Sequence, residues 1–232
     1  KEMKEQINNI SKNSEVYFGS GEKLGTINSE LIRKTVTYEN LGDNVKNAII
    51  ASEDSNFYSN SGINIFAILR ATHSEATGAR TSGGSTITQQ LVKNQLLDNS
   101  RSYERKAKEI LLALRVDSHF SKNEILENYL NVAPFGKNSL GQNISGIETA
   151  AQGVFGVHSK DLNVAQAAYL IGFVQSPYKY TPFDAAGNVR PDEELQAGLD
   201  RQKYVLERMV ANDFITKEQM EKAKKFDIKG AF

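Results

Sequence analysis

The stretch "SGGSTITQQLVKNQ", Ser82 to Gln95, decides how this chain is read. Two glycines and two hydroxyl residues run into a helical pattern. Ser85 or Thr86 supplies a cap, and the helix should run to about Leu97. At 100° per residue, Ile87, Thr88, Leu91, Val92 and Leu96 share one side. Gln89, Gln90, Lys93 and Asn94 share the other, a face of amides and one ammonium with no carboxylate among them. Free amides at a helix start favour an anion. By itself the stretch allows two readings, a phosphate cradle or a well-capped, solvated helix. No Gly-Lys-Ser/Thr stands at Walker spacing, so a nucleotide-binding P-loop lacks its defining residues.

Outward from this helix, the chain reads as mainly helical. "DNVKNAIIASED" starts at a candidate Asp43 cap, with Val45, Ala48 and Ile49 at helical spacing. "RSYERKAKEILLALRVDSHF" places Tyr103, Ala107, Ile110, Leu111 and Leu114 on one face. Ser121-x-x-Glu124 and Thr216-x-x-Gln219 are capping boxes. "DLNVAQAAYLIGFVQ" and "ELQAGLDRQKYVLERMVAND" are further helices, and Pro134-Phe135-Gly136 and Ser176-Pro177 read as stops. "EVYFGSGEKLGTI" has the look of a hairpin, and "KTVTYENL" of a brief extended run. Ser74 to Gly84 and Tyr180 to Glu194 read as loops. The division is an extended N-terminal segment, 1–40, and a main domain, 41–232.

Composition narrows the function. The 232 residues carry 28 Lys plus Arg against 28 Asp plus Glu, no surplus for neutralising nucleic-acid phosphates. There is no Cys, which removes disulfides and thiolate-bound metals. His73, His119 and His158 share no spacing that suggests a metal triad. No run approaches the roughly 20 apolar residues of a membrane span. The chain opens without Met, so any anchor is expected before Lys1.

Two groups of carboxylates remain. Glu53 and Asp54 close an apolar helical run, where acids oppose the helix dipole unless the helix has already ended. Glu109 follows Arg105 by one turn, nearly opposite the apolar face. Alone, that pair reads as an exposed ion pair worth little.

Taken in order, the segments resemble a known family. They are Glu53-Asp54-x-x-Phe57…Gly62, then Gly84-Ser85-Thr86-Ile87-Thr88-Gln89-Gln90-x-x-Lys93-Asn94, then Arg105-Lys106-x-x-Glu109, then "KNEILENYLN" from Lys122. "RQKYVLERM" from Arg201 is a fifth, and "GIETAAQGVFG", "AQAAYLIG" and "SPYKYTP" agree with the same run. The chain is similar, from roughly Glu15 to Lys225, to the peptidoglycan glycosyltransferase domain of glycosyltransferase family 51. That domain occurs in class A penicillin-binding proteins and monofunctional glycan polymerases. The chain departs from the usual pattern at Asn60 (usually His), Gln202 (often Arg) and Ser82 (often Gln).

The resemblance implies a lysozyme-like, mainly α fold with a small membrane-associated jaw. It implies polymerisation of lipid II with inversion at the anomeric carbon. By the family pattern Glu53 is the base and Glu109 the second catalytic carboxylate, near the pyrophosphate. Asp54, Phe57, Ser85, Thr86, Gln89, Gln90, Lys93, Asn94, Arg105 and Lys106 would bind substrate. A divalent cation, Mg or Mn, at the pyrophosphate is left open, either as Glu109's partner or replaced by Glu109 organising the cations. Ser74 to Gly84 would act as a lid. Ile63, Ile65, Phe66, Ile68 and Leu69 are candidates for a membrane-facing surface, or for ordinary core. The implied partners are lipid II, the growing lipid-linked glycan, the outer face of the bacterial cytoplasmic membrane, and a transpeptidase domain after Phe232. No nucleic-acid partner is implied. The competing readings are a lytic transglycosylase or muramidase, and a non-catalytic wall-binding module.

Overall fold

The computed structural model describes residues 15–17, 23–26, 31–68, 84–96 and 102–232, with side chains from Lys34 onward. It is mostly helical, as the periodicity predicts. α1 (Asp43–Glu53) buries Val45, Ala48, Ile49, Ile50 and Ala51. The cap is Gly42, not Asp43, which sits one residue inside, where its charge suits the helix N-terminus. α2 (Ile87–Leu96), α3 (Tyr103–His119) and α4 (Lys122–Val132) follow. α5 (Ile147–Phe155), α6 (Val164–Phe173), the short α7 (Pro177–Tyr180), α8 (Asp192–Ala211) and α9 (Lys217–Lys224) come next, and residues 65–68 are helical as well.

α6 is apolar on every side and accordingly lies in the centre, packed against α1 and α8. A second group forms where α2 packs on α3 and α4. The capping boxes at Ser121/Glu124 and Thr216/Gln219 are present, and Asn163/Gln166 makes a third at the start of α6. The strands β1 (Glu15–Tyr17) and β2 (Lys23–Thr26) pair antiparallel, the expected hairpin. β3 (Leu31–Arg33) pairs parallel with β5 (Asn143–Ser145), which also pairs with β4 (Pro134–Lys137), giving the order β3-β5-β4. β3 thus joins the segment before residue 40 to the helical body, and Lys34 N donates to Thr149 Oγ1 over 2.5 Å.

Several local expectations are corrected. "KTVTYENL" is no strand: the strand ends before it, and Tyr38–Asn40 form a 3-10 turn. Pro134-Phe135-Gly136 opens β4, at a sheet edge where a missing N–H is tolerated. Pro177 starts α7, the first-turn position that suits its fixed φ. The loop from Tyr180 to Glu194 is pinned by a Phe183–Val189 bridge and by Asp184, whose carboxylate accepts from Ala186 N and Asn188 N.

The largest correction concerns α3. Its apolar face is turned outward: Tyr103 is 83% exposed, Leu111 66% and Leu114 37%. Ala107 is exposed too, and Ile110 half-buried. The helix buries Glu109, Ala113 and Val116 instead. The loop after α1 comes so close that a Cβ on Gly62, at φ +81°, would stand 2.7 Å from Ala113 O. Nearby, Ile65 is 61% and Phe66 83% exposed, while Ile63 and Ile68 are half-buried. Leu69 and the expected lid, apart from Gly84, lie outside the described residues.

Candidate active site

The site begins where α1 stops. Glu53 is the last residue of the helix and Asp54 its C-cap, with the backbone leaving the helical region at φ −156° and ψ 76°. The helix therefore ends under these two acids and aims them at a cavity of about 840 Å³. Glu53 Oε1 accepts from Arg201 Nη2 over 2.8 Å, and Oε2 from Gln90 Nε2 over 3.3 Å. Burial pushes the Glu53 pKa up; Arg201 and Gln90 pull it down, and the charge of Asp54 adds to the rise.

Asp54 works differently. Its Oδ2 accepts from Ile87 N over 3.1 Å, which closes the start of α2. Asn60 Nδ2 donates to both Asp54 oxygens, at 2.9 and 3.1 Å. Asn60 also accepts from Lys122 Nζ and from Gly62 N through its Oδ1, so this amide ties the loop together. Burial raises the Asp54 pKa, against the hydrogen bonds from Ile87 and Asn60 and the charge of Lys122. Phe57 is fully buried, its ring edge to Tyr58 and under Lys122 Nζ; it packs the loop and does not face the cavity.

α2 runs across the cavity floor. Thr86 Oγ1 accepts from Gln89 N over 3.1 Å, and Gln89 Oε1 accepts from Thr86 N over 3.1 Å, a reciprocal cap. With Ile87 N bonded to Asp54, these helix-start amides are taken up internally. The expectation of free amides for an anion is corrected accordingly. What α2 offers is its side chains. Gln89 is buried and its Nε2 donates to Glu109 Oε1 over 3.1 Å. Its neighbour Gln90 reaches Glu53 and accepts from Tyr129 Oη over 2.7 Å. Two adjacent glutamines thus hold the two catalytic candidates, one each. Lys93 and Asn94 are exposed and line the cavity with Ser85.

α3 supplies the remaining cluster. The Glu109 side chain is only 3% exposed, so the reading as a surface ion pair is overturned. Lys106 Nζ bonds its Oε1, and Arg105 Nη1 lies 3.9 Å from Oε2. Lys106 also reaches Ser85 Oγ over 3.4 Å, and Arg105 Nε is buried without a hydrogen-bond partner. Two cations flank this one carboxylate, and of the three it is Glu109 that lines the cavity. Among the described residues no group of three or more His, Asp or Glu is placed to hold a metal ion. This donor set suits an anion and does not fit a divalent cation. His158 bonds Glu148 over 2.7 Å and His119 bonds Arg115 O, both as structural contacts; His73 lies outside the described residues.

Residue patterning alone missed three contributors. Arg201 stood inside the fifth motif without a role, because its partner Glu53 is 148 positions away. Tyr129, fully buried on α4, reads as core until its hydroxyl is traced to Gln90. Tyr204, 41% exposed, lines the cavity beside Arg201.

A family model described as transglycosylase matches residues 20–210. Penicillin-binding protein 1A of Aquifex aeolicus is 41% identical over 211 residues, covering 90% of this chain and 27% of that protein. Penicillin-binding protein 1A of Clostridium perfringens strain 13 is 37% identical, covering 92% and 31%. Penicillin-binding protein 2a of Streptococcus pneumoniae D39 is 39% identical, covering 83% and 24%. A crystal structure of penicillin-binding protein 1A from Haemophilus influenzae aligns with 94% of this chain and 21% of that chain, at 18% identity and a TM-score of 0.49. The chain thus spans about a quarter to a third of the length of these curated relatives. The match runs through the acid pair, the glutamine helix and the Glu109 cluster that meet at one cavity, and on it the chain belongs to the transglycosylase family.

Proposed function

We propose that this domain is a peptidoglycan glycosyltransferase that joins lipid-linked disaccharide units into β-1,4 glycan with inversion. The observation that carries the reading is one cavity lined by two carboxylates, Glu53 and Glu109, each held by one of two adjacent glutamines, with Lys106 and Arg105 paired to the second. An inverting displacement needs a base on one face of the sugar and charge stabilisation at the leaving group on the other.

Glu53 is the base. Its raised pKa, set by burial against Arg201, suits a group that takes a proton from the acceptor 4-hydroxyl. The oxygen freed of that proton attacks the donor's anomeric carbon, and the bond to pyrophosphate breaks. Lys93, Asn94 and Ser85, which line the cavity, meet the departing charge, and Lys106, bonded to Ser85 and Glu109, adds positive charge next to them with Arg105. In this reading Glu109 organises the cations rather than ligating a metal. A muramidase would have no use for that cationic cluster, since it releases no pyrophosphate.

The outward apolar face of α3, with Ile65 and Phe66, fits a domain resting on the membrane that carries its substrate. Among the described residues no helix is long and apolar enough to cross a membrane. We place the domain at the outer face of the cytoplasmic membrane, with lipid II and growing lipid-linked glycan as its substrates. The relatives' names state that they bind penicillin, and a transpeptidase domain in the whole protein is the matching proposal here.

The test is a lipid II polymerisation assay in detergent, wild type beside Glu53→Gln, with circular dichroism on both. Polymer from wild type and little or none from a folded variant is the expected result. Cleavage of finished glycan with no polymer formed would overturn the reading.

A further inference from the structure

Arg201 is the cation that faces Glu53, yet its guanidinium has few tethers. Nη2 bonds Glu53, while Nε is buried without a hydrogen-bond partner. A planar group held at one corner can pivot. Two neighbours remove that freedom. Tyr204, three residues on along α8, lies with its ring centroid 4.4 Å from Arg201 Cζ. From α6, Gly172 leaves a slot for the Arg201 stem: a Cβ there would stand 3.0 Å from Arg201 Cγ.

We propose that Tyr204 is a positioning residue, whose ring holds the Arg201 guanidinium against Glu53 and so favours the ionised form of that carboxylate. The proposal rests on the reading of Glu53 as the base. The ring is partly exposed at the cavity wall, where an ordinary core role would have buried it. The charged and titratable groups facing Glu53 are Arg201 from α8, Asp54 next to it at the end of α1, and Tyr129 from α4. Arg201 is the one cation among them, so its placement governs the balance.

The experiment titrates Glu53 by carbon NMR in protein labelled at the glutamate carboxyls, its signal identified by its loss in Glu53→Gln. Tyr204→Leu, Tyr204→Phe and Arg201→Ala are compared with wild type, and the pH profile of lipid II polymerisation is recorded for each. Arg201→Ala should raise the Glu53 midpoint by about one pH unit. Tyr204→Leu should move it in the same direction, with the acid limb of the rate profile following. Tyr204→Phe, which keeps the ring, should return the midpoint to the wild-type value. A Tyr204→Leu midpoint equal to wild type overturns the proposal, and so does a Tyr204→Phe midpoint as high as that of Tyr204→Leu. Should Tyr204→Leu lose its fold, Tyr204→Gln removes the same ring with a polar side chain suited to its partly exposed position, and an unmoved midpoint there overturns the proposal equally. A wild type that makes no polymer defeats the polymerase reading alone, because the NMR midpoints still decide what Tyr204 does.

Discussion

Arg201 Nη2 lies 2.8 Å from Glu53 Oε1, joining the middle of α8 to the last residue of α1. Their side chains are 16% and 14% exposed, so the pair is neither a surface bridge nor fully sealed from water. Burial still outweighs the arginine, and the carboxyl holds its proton more tightly than an ordinary glutamate.

That balance gives stability a pH dependence. Glu53 and Asp54 both have folded pKa values above their ordinary 4.5 and 3.8. Between the unfolded and folded values the native state binds more protons, so their contribution is complete below about pH 4 and is lost as pH rises through the folded values. Glu53→Gln removes one of the two terms. The melting temperature of Glu53→Gln minus that of wild type should become more positive from pH 4 to pH 8. A difference that becomes more negative over that range contradicts the raised value.

For catalysis, Glu53→Gln should lower polymerisation by about 10²–10⁴-fold, the usual worth of a positioned base. Circular dichroism should be unchanged.

Glu109→Gln should act on both fold and rate. It leaves Lys106 and Arg105 facing each other without the carboxylate between them. Loss of this buried negative charge, which leaves both cations without an anionic partner, should lower unfolding stability by about 1–3 kcal/mol, read by urea denaturation. Polymerisation should fall as well, and added Mg²⁺ or Mn²⁺ should not restore it.

Tyr129→Phe keeps the buried ring and removes the hydroxyl that holds Gln90 Oε1 at 2.7 Å. A loss of about 0.5–1.5 kcal/mol in unfolding stability is expected. An unchanged denaturation midpoint would show that Gln90 needs no such anchor.

The outward apolar residues make a separate prediction. Phe66→Ser combined with Leu111→Ser should weaken sedimentation with anionic lipid vesicles, since each buried side chain of this kind is worth about 1.5–3 kcal/mol. Unfolding stability should change little, because both side chains are exposed in the folded protein. Equal vesicle binding by the double variant and wild type would remove this face from the membrane.

Much of this protein is local and was open to the sequence. Helix starts at Ser121, Thr216 and the Thr86 region follow from side chains that satisfy nearby amides, within three residues of each other. The burial of Ile87, Leu91 and Val92 follows from the 3.6-residue period. The ordered motifs brought Glu53, Gln89, Gln90 and Glu109 to notice as a set. Periodicity failed on α3, where it found the apolar face correctly but not which way that face points. A helix carries no record of what will cover it, and here packing by α2 and the Gly62 loop buried the Glu109 side instead. The same limit hid the Arg201–Glu53 pair. Only the direct packing of α8 against α1, with α6 against both, brings that cation to that carboxylate, and only the resulting loss of water sets how tightly the carboxyl holds its proton.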